Sequence, residues 1–487
     1  MHELGYSARR GVLTVLAAMV AAIVAAIVAA ISPTTSGAQS AVTVRPLPYS
    51  RLVLPNGLVA LFNEDHSSPV VGVGAWYHLG SKDEPQGRTG YAHLCEHMLF
   101  EGSPNVAPGD FMATIKAGGG TSARWAETSE DRTFYYETIP SNQLETTLWL
   151  EADRMSSPFT GNDSTRLDAV RSSIKNERQA NRENIPFGTV DGATLGALYG
   201  NEHPYRDPLG PMDDLYRATF SEMKQFCAPY YVPNNAIVSI SGDFDAAKAK
   251  AMVTRYFGSI KRGAPVTHPP MRAASLSGDR RLVLEDSRSR VARLRVAWAG
   301  AGFANPDKLA LVALASVLQG DPSSGLTKAL VYDRQLATSV IVFHADVENG
   351  GVFQVEVTPR GTTALSVIED VVDSIVGAAR QTIPSERELR RFKNANAITA
   401  VSSLQGRVFR ADTLAQGQGW ANDPVAYATQ VNVTSALTGA DVQKAATKYL
   451  TPGRLVISMI PAGKTELISK PDRPYDKLPS ATGGAVP

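Results

Sequence analysis

Gly90-Tyr91-Ala92-His93-Leu94-Cys95-Glu96-His97-Met98-Leu99-Phe100-Glu101-Gly102 is the stretch on which the reading of this chain turns. Its apolar residues recur at helical rather than alternating spacing, which predicts a helix over 89–100. On a helix, positions i and i+4 share a face about one turn apart. His93 and His97 therefore point the same way, and two imidazoles so placed can each reach one Zn2+ at about 2.1 Å. Glu96 sits one residue before the second histidine, close to that face, where its carboxylate can act on a water. The flanks are largely apolar: Leu94, Met98, Leu99 and Phe100. Polar groups in such a setting need partners, because leaving one buried and unpaired costs about 1–3 kcal/mol. A metal ion is such a partner. The bland alternative, two surface histidines and an ordinary glutamate, fits these flanks poorly. Cys95 points to another side of the helix and reads as core filler.

Upstream, 51–54 and 58–62 read as strands joined by Pro55-Asn56-Gly57, and Asn-Gly between apolar runs signals a hairpin. Residues 69–78 form another strand. Downstream, a short helix over 111–116 stops at Gly118-Gly119-Gly120, followed by a strand over 133–138 and helices over 143–155 and 168–184. A helix begins at 221–226, then come a strand over 236–241 and a helix over 246–257. The apolar periodicity lapses in Gly263-Ala264-Pro265-Val266-Thr267-His268-Pro269-Pro270, as it does at domain boundaries.

Beyond this boundary the order of elements recurs. Strands are predicted over 281–284, 291–298, 339–347, 352–357 and 455–460, with helices over 306–318, 365–380 and 386–402 and a helix start over 325–330. The chain thus reads as α+β, two similar domains, each an antiparallel sheet flanked by helices, related by duplication. The boundaries fall at 45–262 and 281–465, with a linker over 263–280 and a disordered tail over 466–487. Superimposing Gly102 on Gly320 sets Leu311, Leu314 and Ala315 opposite His93, Glu96 and His97. The second copy carries no zinc ligands, so one site per chain is expected.

The 487 residues exceed one ordinary domain and suit two of about 200. With 48 basic and 47 acidic side chains and no long block of either sign, nothing marks a nucleic-acid partner or a polybasic membrane surface. Arg9 and Arg10 precede an apolar run over 12–31, closed by Pro33 and small residues, so 1–38 reads as an export signal cut after Ala38. The run is long enough that an uncleaved membrane anchor is the alternative. The pair is also a faint match to a twin-arginine signal. Either way the body is exported, to the periplasm or beyond. The 2 cysteines, Cys95 and Cys227, rule out a disulfide scaffold. They read as two buried thiols, although one bridge is conceivable in an oxidising compartment.

The order His-x-x-Glu-His inverts the commoner His-Glu-x-x-His and defines a zinc class of its own. Together with Asn56-Gly57-Leu58, Ser129-Glu130-Asp131-Arg132-Thr133, His203-Pro204-Tyr205 and Tyr231-Val232-Pro233-Asn234-Asn235-Ala236, it makes this chain resemble the pitrilysin/insulinase peptidases. The similarity is to their bacterial subunit-type members and mitochondrial processing peptidase, and it runs from about 45 to about 462. It implies a third metal ligand on a helix well downstream, and Glu177 occupies that window. It implies zinc, Glu96 as general base, and an extended peptide added to a sheet edge at 122–128 inside a clamshell of which this chain is half. Asp131 and Tyr205 are expected to stabilise the fold.

Three departures accompany the resemblance. The family's Arg and Tyr, seven residues apart in the second half, fall on Val331 and Thr338, with Tyr332 and Arg334 out of register. Losing one donor of this kind costs about 10²–10³ in rate, so the chain alone is expected to be a poor peptidase. That implies a partner: a homologous, zinc-free subunit supplying both groups in a heterodimer. Trp125-Ala126 stands where the family often has Asn-Ala. A supporting Glu seven residues before the third ligand is Val170 here, leaving Glu183 as the substitute. Two other readings compete, a homodimer that dispenses with the Arg/Tyr pair and a non-catalytic assembly subunit that keeps metal for stability.

Overall fold

The computed structural model describes residues 43–478 apart from 123, 201 and 275, so the export segment and 479–487 lie outside the described residues. Two six-stranded sheets organise the chain. The first is built from β1 (Ser50–Val53), β2 (Val59–Glu64), β3 (Val70–Tyr77), β4 (Ala126–Thr128), β5 (Thr133–Pro140) and β6 (Ala236–Gly242), in the order β1-β2-β6-β3-β5-β4. The second is built from β7 (Arg280–Asp286), β8 (Arg293–Gly300), β9 (Ala337–Asp346), β10 (Gly351–Pro359), β11 (Leu455–Pro461) and β12 (Asp476–Lys477), in the order β12-β7-β11-β8-β10-β9. The Asn56-Gly57 turn joins β1 to β2 as expected, with Gly57 at φ 93°, where a side chain would be strained. The sheets are not purely antiparallel: β2 runs parallel to β6, and β7 runs parallel to both β11 and β12. In each half a late strand returns by way of helices to lie parallel to an early one, β6 beside β2 and β11 beside β7, and such a crossover permits a parallel pair.

Among the described residues eight α-helices belong to the first half: α1 (Tyr91–Met98), α2 (Asp110–Ala117), α3 (Leu144–Ser156), α4 (Ser164–Arg178), α5 (Val190–Tyr199), α6 (Met212–Arg217), α7 (Phe220–Cys227) and α8 (Ala246–Phe257); α9 (Asp307–Gln319) opens the second. There follow α10 (Leu365–Ala379), α11 (Glu386–Ser403), α12 (Arg407–Ala421), α13 (Ala426–Ala436) and α14 (Gly439–Tyr449). One face of each sheet carries its own half's helices. The opposite faces are covered by exchange. From the first half, α5 buries Val190, Ala197 and Leu198 against Leu282, Leu284, Ala297 and Ile457 of the second sheet. From the second half, α12 buries Leu414 and Ala415 against Leu61, Trp76, Phe134 and Ile237 of the first. Gly72 and Gly419 allow this approach: a Cβ on Gly72 would lie 2.5 Å from the Arg407 carbonyl carbon, and one on Gly419 would lie 2.5 Å from the Trp76 ring. Sequence reading left α5 and all of 403–454 without elements, because much of this helical surface packs on the other half.

The halves also share a buried polar junction. Lys82 Nζ lies 3.0 Å from Asp131 Oδ1 and pairs with Glu348 of the second half, which also meets His78 Nε2 at 2.8 Å. Tyr205 donates to Asp131 (3.1 Å) and accepts from the Asn349 amide (2.8 Å). Over the described residues the tail beyond 466 is ordered, contrary to expectation. Ile468 and Ser469 are buried, Arg281 donates to the Ser469 carbonyl (3.1 Å), and Asp476–Lys477 extend the second sheet. Backbone pairing with β7 and the buried Glu369 carboxylate, which binds Arg281 at 2.6 Å, fix a segment of low apolar content.

Candidate metal centre

α1 starts at Gly90, whose φ of 90° suits only glycine. The first turn is closed by Glu84, which accepts from the amides of Gly90 (2.9 Å) and Ala92 (2.8 Å). An acidic group there satisfies free N–H groups and complements the helix dipole. Burial pushes the Glu84 carboxyl up, against the pull of those two amides. Downstream in the helix, His93 and Glu96 are buried and His97 is partly open.

α4 brings Glu177 to the histidines. Their Nε2 atoms are 3.0 Å apart, and Glu177 Oε2 lies 3.2 Å from His97 and 3.4 Å from His93. Ligand atoms around a tetrahedral zinc at about 2.1 Å stand about 3.4 Å from each other, so this donor set fits the ion. Burial lowers the His93 imidazole, but hydrogen bonding to Glu177 and the nearby carboxylates outweigh it, and the net shift is upward. Hydrogen bonds from His93 and His97 hold the Glu177 carboxyl well below the usual range. The three residues singled out for metal binding thus converge, and among the described residues no other cluster of three such groups does so.

Glu96 lies in the same cleft, of about 630 Å3. Thr128 Oγ1 donates to its Oε2 (2.5 Å), and Tyr135, itself bonded to Tyr231 (2.9 Å), donates to its backbone carbonyl (3.3 Å). Thr128 belongs to β4, the end strand of the first sheet, so the expected substrate edge borders the cleft. Trp125 enters β4 with φ 69°, an uncommon conformation for a bulky residue, held by its amide on Ser122 Oγ (2.8 Å) and by the Tyr136 amide on its carbonyl (2.9 Å).

Other expectations fare differently. Glu183 does not support a ligand: it pairs with Arg178 at 2.9 Å, on the π-helical turn Gln179–Glu183 that directly follows α4. Val170 is core. Leu311, Leu314 and Ala315 are buried apolar positions of α9. Cys95 and Cys227 are not separate thiols but form a disulfide joining α1 to α7. Their sequence separation of 132 hid this from the sequence. Glu84, Thr128 and Tyr135 also escaped the sequence reading. An acid shortly before the helix start was the one available signal.

Comparison with known proteins gives the family. Residues 59–196 match the model of the insulinase family (peptidase family M16), and 217–396 match that of the peptidase M16 inactive domain. The chain belongs to this family of zinc peptidases and their inactive relatives. Zinc protease PqqE of Helicobacter pylori is 26% identical over 73% of this chain and 80% of its own length. A probable mitochondrial-processing peptidase subunit beta of Arabidopsis thaliana is 22% identical over 84% and 77%. A protease crystal structure from Helicobacter pylori superimposes with a TM-score of 0.78 at 24% identity, covering 86% of this chain and all of that one. That of a peptidase M16 inactive domain from Pseudomonas fluorescens gives 0.75 at 18%, over 87% of this chain. No described helix is long and apolar enough to cross a membrane.

Proposed function

We propose that this chain is the metal-bearing subunit of an exported zinc endopeptidase, with His93, His97 and Glu177 as ligands and Glu96 as general base. The observation that carries the proposal is the convergence of these three donor atoms beside a buried glutamate and a sheet edge. Zinc in this donor set supplies Lewis-acid polarisation of a peptide carbonyl. Glu96 takes a proton from the attacking water and returns it to the leaving amine nitrogen. Thr128 orients the Glu96 carboxylate through its hydroxyl. β4 offers backbone groups to an extended, unfolded peptide.

A homologous zinc-free subunit is the proposed partner. Val331 and the exposed Thr338 stand where Arg and Tyr donors were expected, and neither can stabilise an oxyanion as those would. The test is cleavage of a quenched fluorescent peptide by the zinc-loaded chain, alone and with such a subunit. The pair is expected to cut well and the chain alone poorly. Glu96→Gln should abolish cutting while zinc stays bound. If zinc binds and no pairing gives Glu96-dependent cutting, the metal is structural and the chain is an assembly subunit.

A further inference from the structure

The cleft holds charges that the metal and base do not use. Arg124, beside β4, is exposed, and among the described residues no carboxylate lies within ion-pairing distance of it. Arg182 stands on the π-helical turn after Glu177. Its Nε is buried without a hydrogen-bond partner among the described residues. Its nearest carboxylate, Asp191, is 3.8 Å from Nη1 and is held more closely by Arg295, at 2.7 Å. The acid on this wall is already committed: Glu127 pairs with Arg132 at 2.5 Å. Glu130 feels the Arg182 charge, but burial pushes its carboxyl up to about 7, so near neutrality only part of its charge offsets the arginine. Beyond the metal ligands and the base, the uncommitted charge of the cleft is therefore positive and planar. Guanidinium groups pair bidentately with carboxylates, and a poorly hydrated, half-buried one gains most from doing so. Ile185, 46% exposed on the same wall, suits the aliphatic stem of such a ligand.

We infer that Arg124 and Arg182 form a subsite selecting peptides with an acidic side chain next to the bond to be cut. This rests on the cleft being a peptide site, as proposed above. Specificity of this kind reflects two terms: the pairs made with the right substrate and the arginines left unpaired with the wrong one.

The test is fluorescence anisotropy with two labelled peptides that differ only in Glu or Gln at one position, bound to the zinc-loaded Glu96→Gln protein. The Glu peptide is expected to bind about tenfold tighter at low salt, with the gap closing as ionic strength rises. Arg124→Gln and Arg182→Gln should each shrink the gap about threefold, and the double variant should erase it without weakening the Gln peptide. Arg182→Glu should favour a Lys peptide instead. Circular dichroism checks folding, and Arg124→Gln, at an exposed position, keeps the test open if Arg182 variants misfold. Equal binding of both peptides, binding of neither, or a Glu preference that survives the double variant overturns the inference. The peptidase reading fails by a different result, the absence of any cutting that Glu96→Gln removes, and the binding comparison stands apart from it.

Discussion

His93 and Glu177 favour opposite protonation states when no cation lies between them. Glu177 keeps its charge far into acid, and His93 holds its proton above the usual 6.5. The stability this proton brings is fully present below about 6.5 and is lost as pH rises through the raised value. A metal ion at His93 must displace that proton. Apparent zinc affinity is therefore expected to climb with pH across this window, by up to about tenfold per unit for one proton displaced. Competition titrations at several pH values measure it, and an affinity flat in pH would contradict the assignment of His93. At this scale the sequence was informative where spacing alone sufficed. His93, Glu96 and His97 follow from five consecutive residues on one helix. Glu177 did not follow from its own surroundings, which suit a solvated helix carboxylate equally, and only resemblance singled it out. Glu84 and Thr128 were not found, because a cap and a cross-element hydrogen bond depend on where a loop and an edge strand return.

Among the elements, α1 is held from three sides: Glu84 at its start, β4 through Thr128, and α7 through the disulfide. A bridge closing a loop of this length removes about 5 kcal/mol of conformational freedom from the unfolded chain. Replacing both Cys95 and Cys227 by serine is expected to lower unfolding stability by about 2–5 kcal/mol, read from denaturant midpoints under non-reducing conditions. An unchanged midpoint would show that the bridge does not form in the protein. Strands and helices whose apolar stripe faces their own sheet, such as β3 and α3, were legible from period alone. Those that pack across the halves, α5 and α12, were not, since a reading by segment does not reveal which sheet a helix will meet.

In the whole molecule, the junction of Lys82, Asp131, His78 and Glu348 fastens one half to the other without leaving its charges unpaired. Removing one partner leaves the others buried, which costs about 3–5 kcal/mol. Lys82→Met should lower stability by that order and separate the unfolding of the two halves, visible as two transitions in a calorimetric scan. A single transition at the wild-type temperature would show that the junction contributes little. Burial raises the Glu348 carboxyl, but His78 and Lys82 bring it down to about 2. Its contribution is therefore complete above about 4.5 and fades as pH falls toward 2.

The sequence by itself determined the α+β class, the His-x-x-Glu-His pattern with its glutamate, and the apolar residues at the matching positions of the second half. Each is a matter of local period or spacing, which short segments express on their own. Only the tertiary structure decided the Cys95–Cys227 bridge, the parallel pairing of β2 with β6 and of β7 with β11, the placement of 466–478 and the two arginines facing the cleft. These depend on residues far apart in the chain meeting at one place, and chain connectivity places no marker in the sequence for where such a meeting will occur.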